Sequence, residues 1–184
     1  APGQVSLADM RGLYRWDKIG PQTALYGVIG CPVGHSMSPA IFNAAFDDVG
    51  HDAVYLPMRV EPFYEAFAEF VDGCIARPWL GLGGCSVTIP HKENLLRYVE
   101  EHGGTVEPLA RRIGAANTLH IQTAKGGGPA SLGTYNTDYR GAMDALCRCF
   151  KEAAGKGWTV VCYERADRLI QDARGARCDL AALD

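Results

Sequence analysis

Strand-like and helix-like patterns alternate along most of this chain, and that alternation constrains its fold more than any other feature. An apolar run at 24–29, bounded by glycine and proline, predicts a buried strand. Residues 39–49 and 62–72 carry apolar side chains at helical spacing, and 53–60 has the pattern of a strand between them. Strands that alternate with helices favour an α/β layered sandwich, in which helices flank a mainly parallel sheet.

The second half of the chain continues the alternation with one departure. A strand at 85–89 is followed by a helix after Pro90 and by a helical turn at 109–113. Residues 117–122 and 131–135 alternate in polarity on either side of a glycine-rich stretch, which is typical of a hairpin-like pair. Because such a pair runs antiparallel, the sheet is expected to be mixed.

Three positions predict helix boundaries. Ser38 is placed as the N-cap of the 39–49 helix, with Pro39 at its first position. Gly73 is placed to end the 62–72 helix. A further helix is expected to start at Thr137 or Asp138 and to run towards Phe150.

Composition excludes several classes of protein. The net charge is −3 without a block of Lys or Arg, which argues against a nucleic-acid partner. No run of about 18 apolar residues predicts a membrane span. The seven cysteines are an odd number and no secretory signal opens the sequence, so reduced thiols in the cytoplasm are expected. Neither C-x-x-C nor H-x-x-x-H spacing occurs, so no metal site is expected.

Polar residues cluster where the predicted elements meet. Ser36 and Ser38 follow the first strand and open a helix, whose unpaired N–H groups suit a carboxylate or a phosphate. Taken alone, Ser38 is better explained by a capping role. Ser86 and Thr88 share one face of a predicted strand, and Lys92 lies just past its end.

Two further polar residues complete the candidate site. The Asn117 amide suits a sugar-like hydroxyl, and Asp138 stands at the beginning of a predicted helix, where a capping role is equally expected. Three of the four clusters follow the carboxyl ends of strands, the edge at which open α/β sheets bind ligands. A lysine in a partly closed cleft there can exchange protons with a ligand.

Four motifs in order resemble the N-terminal substrate-binding domain of the shikimate dehydrogenases. They are YGVIGCPVGHSMSP at 26–39, SVTIPHK at 86–92, GAANT at 114–118 and NTDYRG at 136–141. The resemblance implies NADP-linked interconversion of 3-dehydroshikimate and shikimate in aromatic amino-acid biosynthesis. Its implied substrate-binding residues are Ser36, Ser38, Ser86, Thr88 and Asn117.

The resemblance also implies a catalytic pair, Lys92 and Asp138. Lys92 donates a proton to the carbonyl oxygen, and Asp138 orients the lysine and keeps it charged. An alkoxide that forms beside an ammonium group is stabilised where its charge develops. Ser86 stands where the family often has asparagine.

The resemblance divides the chain into three parts. Residues 1–20 resemble the end of a type I dehydroquinate dehydratase, as in bifunctional dehydratase–dehydrogenase proteins, and 21–150 form the substrate-binding domain. Residues 151–184 are expected to hold a linker (151–157), a strand (159–163) and the truncated or diverged start of a dinucleotide-binding domain.

The cofactor part of the pattern is where the chain departs from the family. Residues 163–168 read YERADR where the family has its glycine-rich dinucleotide fingerprint. The chain is therefore expected to bind substrate without hydride transfer by itself. A quinate/shikimate dehydrogenase and a non-catalytic, ligand-binding regulatory relative are the alternatives.

Overall fold

The structure, a computed structural model, describes residues 5–122 and 130–155 of the chain. The chain divides after Thr137 into two compact units. The first unit contains a six-stranded sheet with helices on both faces, which confirms the predicted α/β sandwich. In its described part, the second unit is helical.

The described helices and strands follow the alternation that the sequence pattern predicts, with the two-residue strand β4 in addition. They are α1 (Leu7–Gly12), β1 (Ala24–Gly30), α2 (Ser38–Asp48), β2 (Ala53–Arg59), α3 (Tyr64–Ile75), β3 (Leu82–Val87), α4 (Lys92–Glu101), β4 (Thr105–Val106), α5 (Pro108–Ile113), β5 (Thr118–Gln122), β6 (Ser131–Tyr135) and α6 (Thr137–Gly155). Short 3₁₀ turns lie at Trp16–Lys18 and Pro78–Leu80.

The sheet has the strand order β2-β1-β3-β5-β6-β4. The pairs β1–β2, β1–β3 and β4–β6 are parallel, whereas β5 runs antiparallel to both β3 and β6. The predicted mixed sheet and its hairpin-like pair are thereby confirmed. Because β5 is reversed, its first residue lies at the same edge of the sheet as the last residues of β1, β3 and β6.

Apolar side chains fill both faces of the sheet. The larger core lies between the sheet and helices α3 and α4, with Ile29, Phe67 and Leu95 fully buried. On the opposite face, Val28 and Tyr55 form a smaller core against which Phe46 of α2 packs. Adjacent residues of β1 thus enter different cores, as the two-residue period of a strand requires.

Two predicted helix boundaries are wrong. Met37 occupies the N-cap of α2 and Ser38 is its first helical residue, because the Ser36 Oγ already accepts the Ser38 N–H at 3.2 Å. Helix α3 also runs through Gly73 to Ile75. There the Arg77 guanidinium donates to the Gly73 carbonyl oxygen at 2.7 Å, so the exposed end of the helix is satisfied by a side chain.

The structure describes only some of the residues that the C-terminal predictions concern. Helix α6 continues to Gly155, through most of the segment predicted as a linker. The predicted strand at 159–163 and the residues after it lie outside the described residues. No helix in the described ranges has the length and apolar character that crossing a membrane requires.

Candidate functional site

Backbone hydrogen bonds join the ends of β1 and β3. The Thr88 N–H donates to the Ile29 carbonyl oxygen at 2.9 Å, and the Cys31 N–H donates to the Ile89 carbonyl oxygen at 3.1 Å. The X–Pro peptide bonds that follow Cys31 and Ile89 are both cis. The first two motifs are therefore held side by side at one edge of the sheet.

The segment before β5 closes the same edge. The Val87 N–H donates to the Asn117 carbonyl oxygen at 2.7 Å, and the Ala116 N–H donates to the Lys92 carbonyl oxygen at 3.0 Å. From the fourth motif, the Thr137 N–H donates to the Asn117 Oδ1 at 2.9 Å. All four motifs thus belong to one hydrogen-bonded edge, the place where the sequence predicts a ligand site.

The Asn117 side chain is engaged with its neighbours along this edge. Its Nδ2 donates to the Thr137 Oγ1 at 2.9 Å, and its Oδ1 accepts from the Thr118 Oγ1 at 2.9 Å. Asn117 therefore anchors Thr137, the last residue of the first unit, a structural role in addition to the predicted contact with a ligand hydroxyl.

The remaining predicted residues of the first unit are partly accessible. Ser36, Ser38, Ser86, Thr88 and Lys92 are all half-buried. Ser36 and Ser38 stand at the start of α2, and Lys92 is the first residue of α4. Half-buried hydroxyl and ammonium groups in these positions can contact a ligand without a rearrangement of the fold.

The Thr88 side chain is positioned by a glycine. A Cβ added at Gly30 would lie 2.5 Å from the Thr88 Cγ2 methyl, which is closer than two non-bonded carbon atoms can approach. The absence of a side chain at Gly30 therefore lets Thr88 pack directly on the end of β1.

Asp138 belongs to the second unit. It is the second residue of α6 and is exposed, and it lies in the first turn of that helix, where a carboxylate is favoured by the helix dipole. Its pairing with Lys92 stays a prediction.

A cleft of about 490 Å³ opens on the α2 face of the sheet, beside the hydrogen-bonded edge. This volume is in the range of small-molecule sites. Its walls combine aromatic rings with hydroxyl groups, and they include Tyr26, Phe42, Tyr55, Ser86, Thr118 and Thr137. Phe42 stacks on Tyr55 with ring centroids 4.6 Å apart, which gives the cleft a flat apolar wall.

Tyr55 is a cleft residue that the sequence analysis did not place at the site. It is only 3% exposed, and its hydroxyl oxygen has no hydrogen-bond partner in the described part of the chain. Burial raises the pKa of the phenol, while the adjacent hydroxyls of Ser86 and Ser38 act in the opposite direction. A tyrosine within an apolar strand has the pattern of a core residue, and only the structure shows its place beside two predicted site serines.

Neither a metal nor a dinucleotide has a matching site in the described part of the chain. No three His, Cys, Asp or Glu side chains in residues 5–122 and 130–155 gather into a metal-binding group. No strand-to-helix turn in these ranges carries the G-x-G-x-x-G sequence that lets a backbone approach a pyrophosphate. The residues that the structure describes therefore offer no such turn for the pyrophosphate of NADP.

Comparison with known proteins identifies close sequence and structural relatives. Residues 28–119 match the family described as shikimate dehydrogenase substrate binding domain. The chain is 38% identical over 146 residues to a chloroplastic bifunctional 3-dehydroquinate dehydratase/shikimate dehydrogenase of Arabidopsis thaliana, covering 79% of this chain and 22% of that protein. It is 45% identical over 122 residues to an NADP(+) shikimate dehydrogenase of Bacillus mycoides, covering 66% of this chain and 39% of that protein.

A solved structure gives the same result. The crystal structure of a shikimate 5-dehydrogenase from Listeria monocytogenes in complex with shikimate and NAD is 32% identical, with a TM-score of 0.57. The alignment covers 71% of this chain and 40% of that one. The chain thus spans well under half the length of the relatives that it matches.

Proposed function

The chain belongs to the shikimate dehydrogenase substrate-binding domain family, and from this premise we propose that it binds shikimate and 3-dehydroshikimate at the carboxyl edge of its sheet. The observation that carries the proposal is the set of hydrogen bonds that unites all four motifs at that edge. The adjoining aromatic and hydroxyl-lined cleft matches a ligand with an apolar ring face and several hydroxyls.

In the proposed complex the serines bind the ligand carboxylate. Ser36 and Ser38 stand at the beginning of an 11-residue helix, whose dipole favours a negative charge at that end. The Ser38 hydroxyl makes no helix-capping bond, since the N-cap is Met37. Ser86, Thr88 and Asn117 are the proposed contacts of the ring hydroxyls.

Lys92 is proposed to hold the proton for the ligand's carbonyl oxygen. A half-buried ammonium group near a developing alkoxide stabilises negative charge where it forms. Asp138 is proposed to orient the lysine and to keep it charged. The described residues provide no dinucleotide turn for the NADP that the relatives' names carry, so the proposal for this chain by itself is substrate binding without hydride transfer.

We propose that residues 21–150 form this substrate-binding domain and that 1–20 correspond to the end of a dehydratase domain. The bifunctional relative from Arabidopsis thaliana, whose match covers 79% of the chain, supports that arrangement. Residues 151–184 are proposed as a linker and a diverged start of a dinucleotide-binding domain.

Calorimetric titration of the chain tests the binding proposal. We expect shikimate to release or absorb heat at millimolar concentration or below, and cyclohexanecarboxylate, which lacks the ring hydroxyls, to bind more weakly. Tighter binding of quinate than of shikimate would favour the quinate/shikimate alternative. Absence of binding by both hydroxylated acids would overturn the proposal.

A matched pair of serine variants identifies the site. Ser38→Ala removes one hydrogen bond to a charged carboxylate, which is worth about 1.5–3 kcal/mol, so shikimate affinity should fall at least about tenfold. Ser131→Ala alters an exposed serine at the far end of β6 and should leave the affinity unchanged. Equal affinities of the two variants would place the ligand elsewhere.

A further inference from the structure

His91 is a fully buried imidazole whose two nitrogens both have partners. Its relative exposure is 0%, and its ring stacks on Phe67 with centroids 5.3 Å apart. The Nε2 lies 3.0 Å from the Val60 carbonyl oxygen, and the Nδ1 lies 3.0 Å from the Asn94 Nδ2. An apolar ring of similar size would fill the same space and would need neither hydrogen bond.

These contacts use both nitrogens of the ring. A carbonyl oxygen only accepts hydrogen bonds, so the His91 Nε2–H donates to the Val60 carbonyl oxygen. The Nδ1 of His91 accepts from the Asn94 Nδ2. The two hydrogen bonds together fix the orientation of the imidazole.

The backbone of His91 connects the same ring to the candidate site. Its N–H donates to the Thr88 carbonyl oxygen at 2.9 Å, and its carbonyl oxygen accepts the Leu95 N–H at 2.8 Å. Val60, which the ring holds, in turn donates its N–H to the Gly30 carbonyl oxygen at 3.3 Å. His91 thus joins the ends of β1 and β2 to the turn between β3 and α4, and Lys92 is the next residue along that turn.

We propose that His91 is a positioning residue for Lys92, an inference that rests on the proposed role of this lysine in substrate binding. The ring binds the residue before Lys92 to Val60, the residue that follows β2, while the Lys92 carbonyl oxygen accepts the Ala116 N–H at 3.0 Å. The lysine backbone is thereby anchored on both sides, and its ammonium group projects from a fixed point.

The first test measures the lysine in the absence of ligand. In chain labelled with ¹³C at lysine Cε, five lysines contribute signals, and Lys92→Arg assigns that of Lys92. His91→Phe keeps an aromatic ring beside Phe67 but removes both side-chain hydrogen bonds. We expect His91→Phe to move the Lys92 signal towards the value of free lysine in water. His91→Gln, which retains an N–H for Val60, should restore most of the difference.

The second test measures shikimate affinity in the same variants. We expect His91→Phe to weaken binding about tenfold, equivalent to about 1.4 kcal/mol, and His91→Gln to weaken it less. Tyr98→Phe, farther along α4, is the matched control, because it removes the 2.5 Å hydrogen bond from the Tyr98 hydroxyl to Asp72 of α3. It should lower the melting temperature without altering the Lys92 signal or shikimate affinity.

The outcomes separate this inference from the proposed function. A folded His91→Phe variant with the wild-type Lys92 signal overturns the positioning role, whether or not shikimate binds. A wild-type chain that binds no shikimate overturns the proposed function, while the ligand-free signal still decides the role of His91. Should His91→Phe not fold, His91→Asn removes the bond to Val60, because the shorter side chain does not reach that carbonyl oxygen, and an unchanged Lys92 signal in that variant overturns the inference.

Discussion

The hydroxyl of Tyr55 is buried without a hydrogen-bond partner in the described part of the chain, beside Ser38 and Ser86. An unsatisfied buried hydroxyl destabilises a fold by about 1–3 kcal/mol. Tyr55→Phe should therefore raise the melting temperature by a few degrees, at about 2–4 °C per kcal/mol. It should also weaken shikimate binding, because the phenol adjoins two proposed ligand contacts.

Thermal denaturation and calorimetry measure the two effects of Tyr55→Phe separately. Tyr135→Phe is a suitable control, since that ring is 40% exposed and its hydroxyl can bond to water. The control should not raise the melting temperature. A Tyr55→Phe variant that is less stable and binds shikimate normally would show that the hydroxyl serves the fold alone.

The close contact between Gly30 and Thr88 can be tested in the same way. Gly30→Ala places a methyl group 2.5 Å from the Thr88 Cγ2, so either Thr88 or the end of β1 must move. We expect shikimate affinity to fall about tenfold or more, with a melting temperature that is also lower. Gly12→Ala, at which an added Cβ meets no atom within 4 Å, is the control and should bind shikimate as the wild type does. Normal affinity in Gly30→Ala would exclude Thr88 as a ligand contact.

At the scale of elements, an ionic contact holds the N-terminal segment 13–18 to α2 and β2. Arg15 has a φ of 55°, and its side chain is 10% exposed. Its guanidinium donates to the Ala53 carbonyl oxygen and pairs with Asp47, both at 2.7 Å. Lys18 reaches the same carboxylate at 2.6 Å. The segment is thus bound to the helix that begins with Ser38.

This contact predicts a pH dependence of stability. The hydrogen bond from Lys18, with the charge of Arg15, holds the pKa of Asp47 below its ordinary value of 3.8. A carboxyl with a lowered pKa in the folded state stabilises the fold above its unfolded-state pKa, and this contribution is lost as the pH falls through the folded value. Asp47→Asn should therefore melt below the wild type at pH 7, and the gap should close below about pH 3.8. Asp48→Asn is the control; a gap that persists at low pH would contradict an ionic origin.

The pattern of the sequence predicts elements better than their ends. The stripe that buries Phe67 and Val71 identifies α3, because helical spacing is set locally. Its extension past Gly73 depends on the Arg77 side chain, which the spacing of apolar residues does not report. The two residues of β4 are too few to show any period, so that strand follows only from its pairing with β6.

At the scale of the whole molecule, the order of strands explains why the motifs could be placed together from the sequence. The ends of parallel strands meet at one edge, and a reversed β5 brings Asn117 to the same edge. The contributions of Tyr55 and His91 could not be predicted in this way. Their neighbours are distant in the sequence: Ser38 and Ser86 lie beside Tyr55, and Val60 and Phe67 lie beside His91. Both residues are also buried as ordinary core residues are.

The melting temperature of the chain in the presence of each ligand distinguishes substrate binding from cofactor binding. A ligand that binds only the folded state stabilises it by RT ln(1 + [L]/Kd), about 2.7 kcal/mol at a hundred times Kd. For a chain of this size that corresponds to a rise in melting temperature of roughly 5–10 °C. Shikimate at that excess should produce such a rise, and NADP⁺ at the same concentration should produce none.

Cyclohexanecarboxylate controls for unspecific anion effects. A rise with NADP⁺ would reveal a dinucleotide site in this chain and would contradict binding without hydride transfer, because both reactants would then be held by one polypeptide.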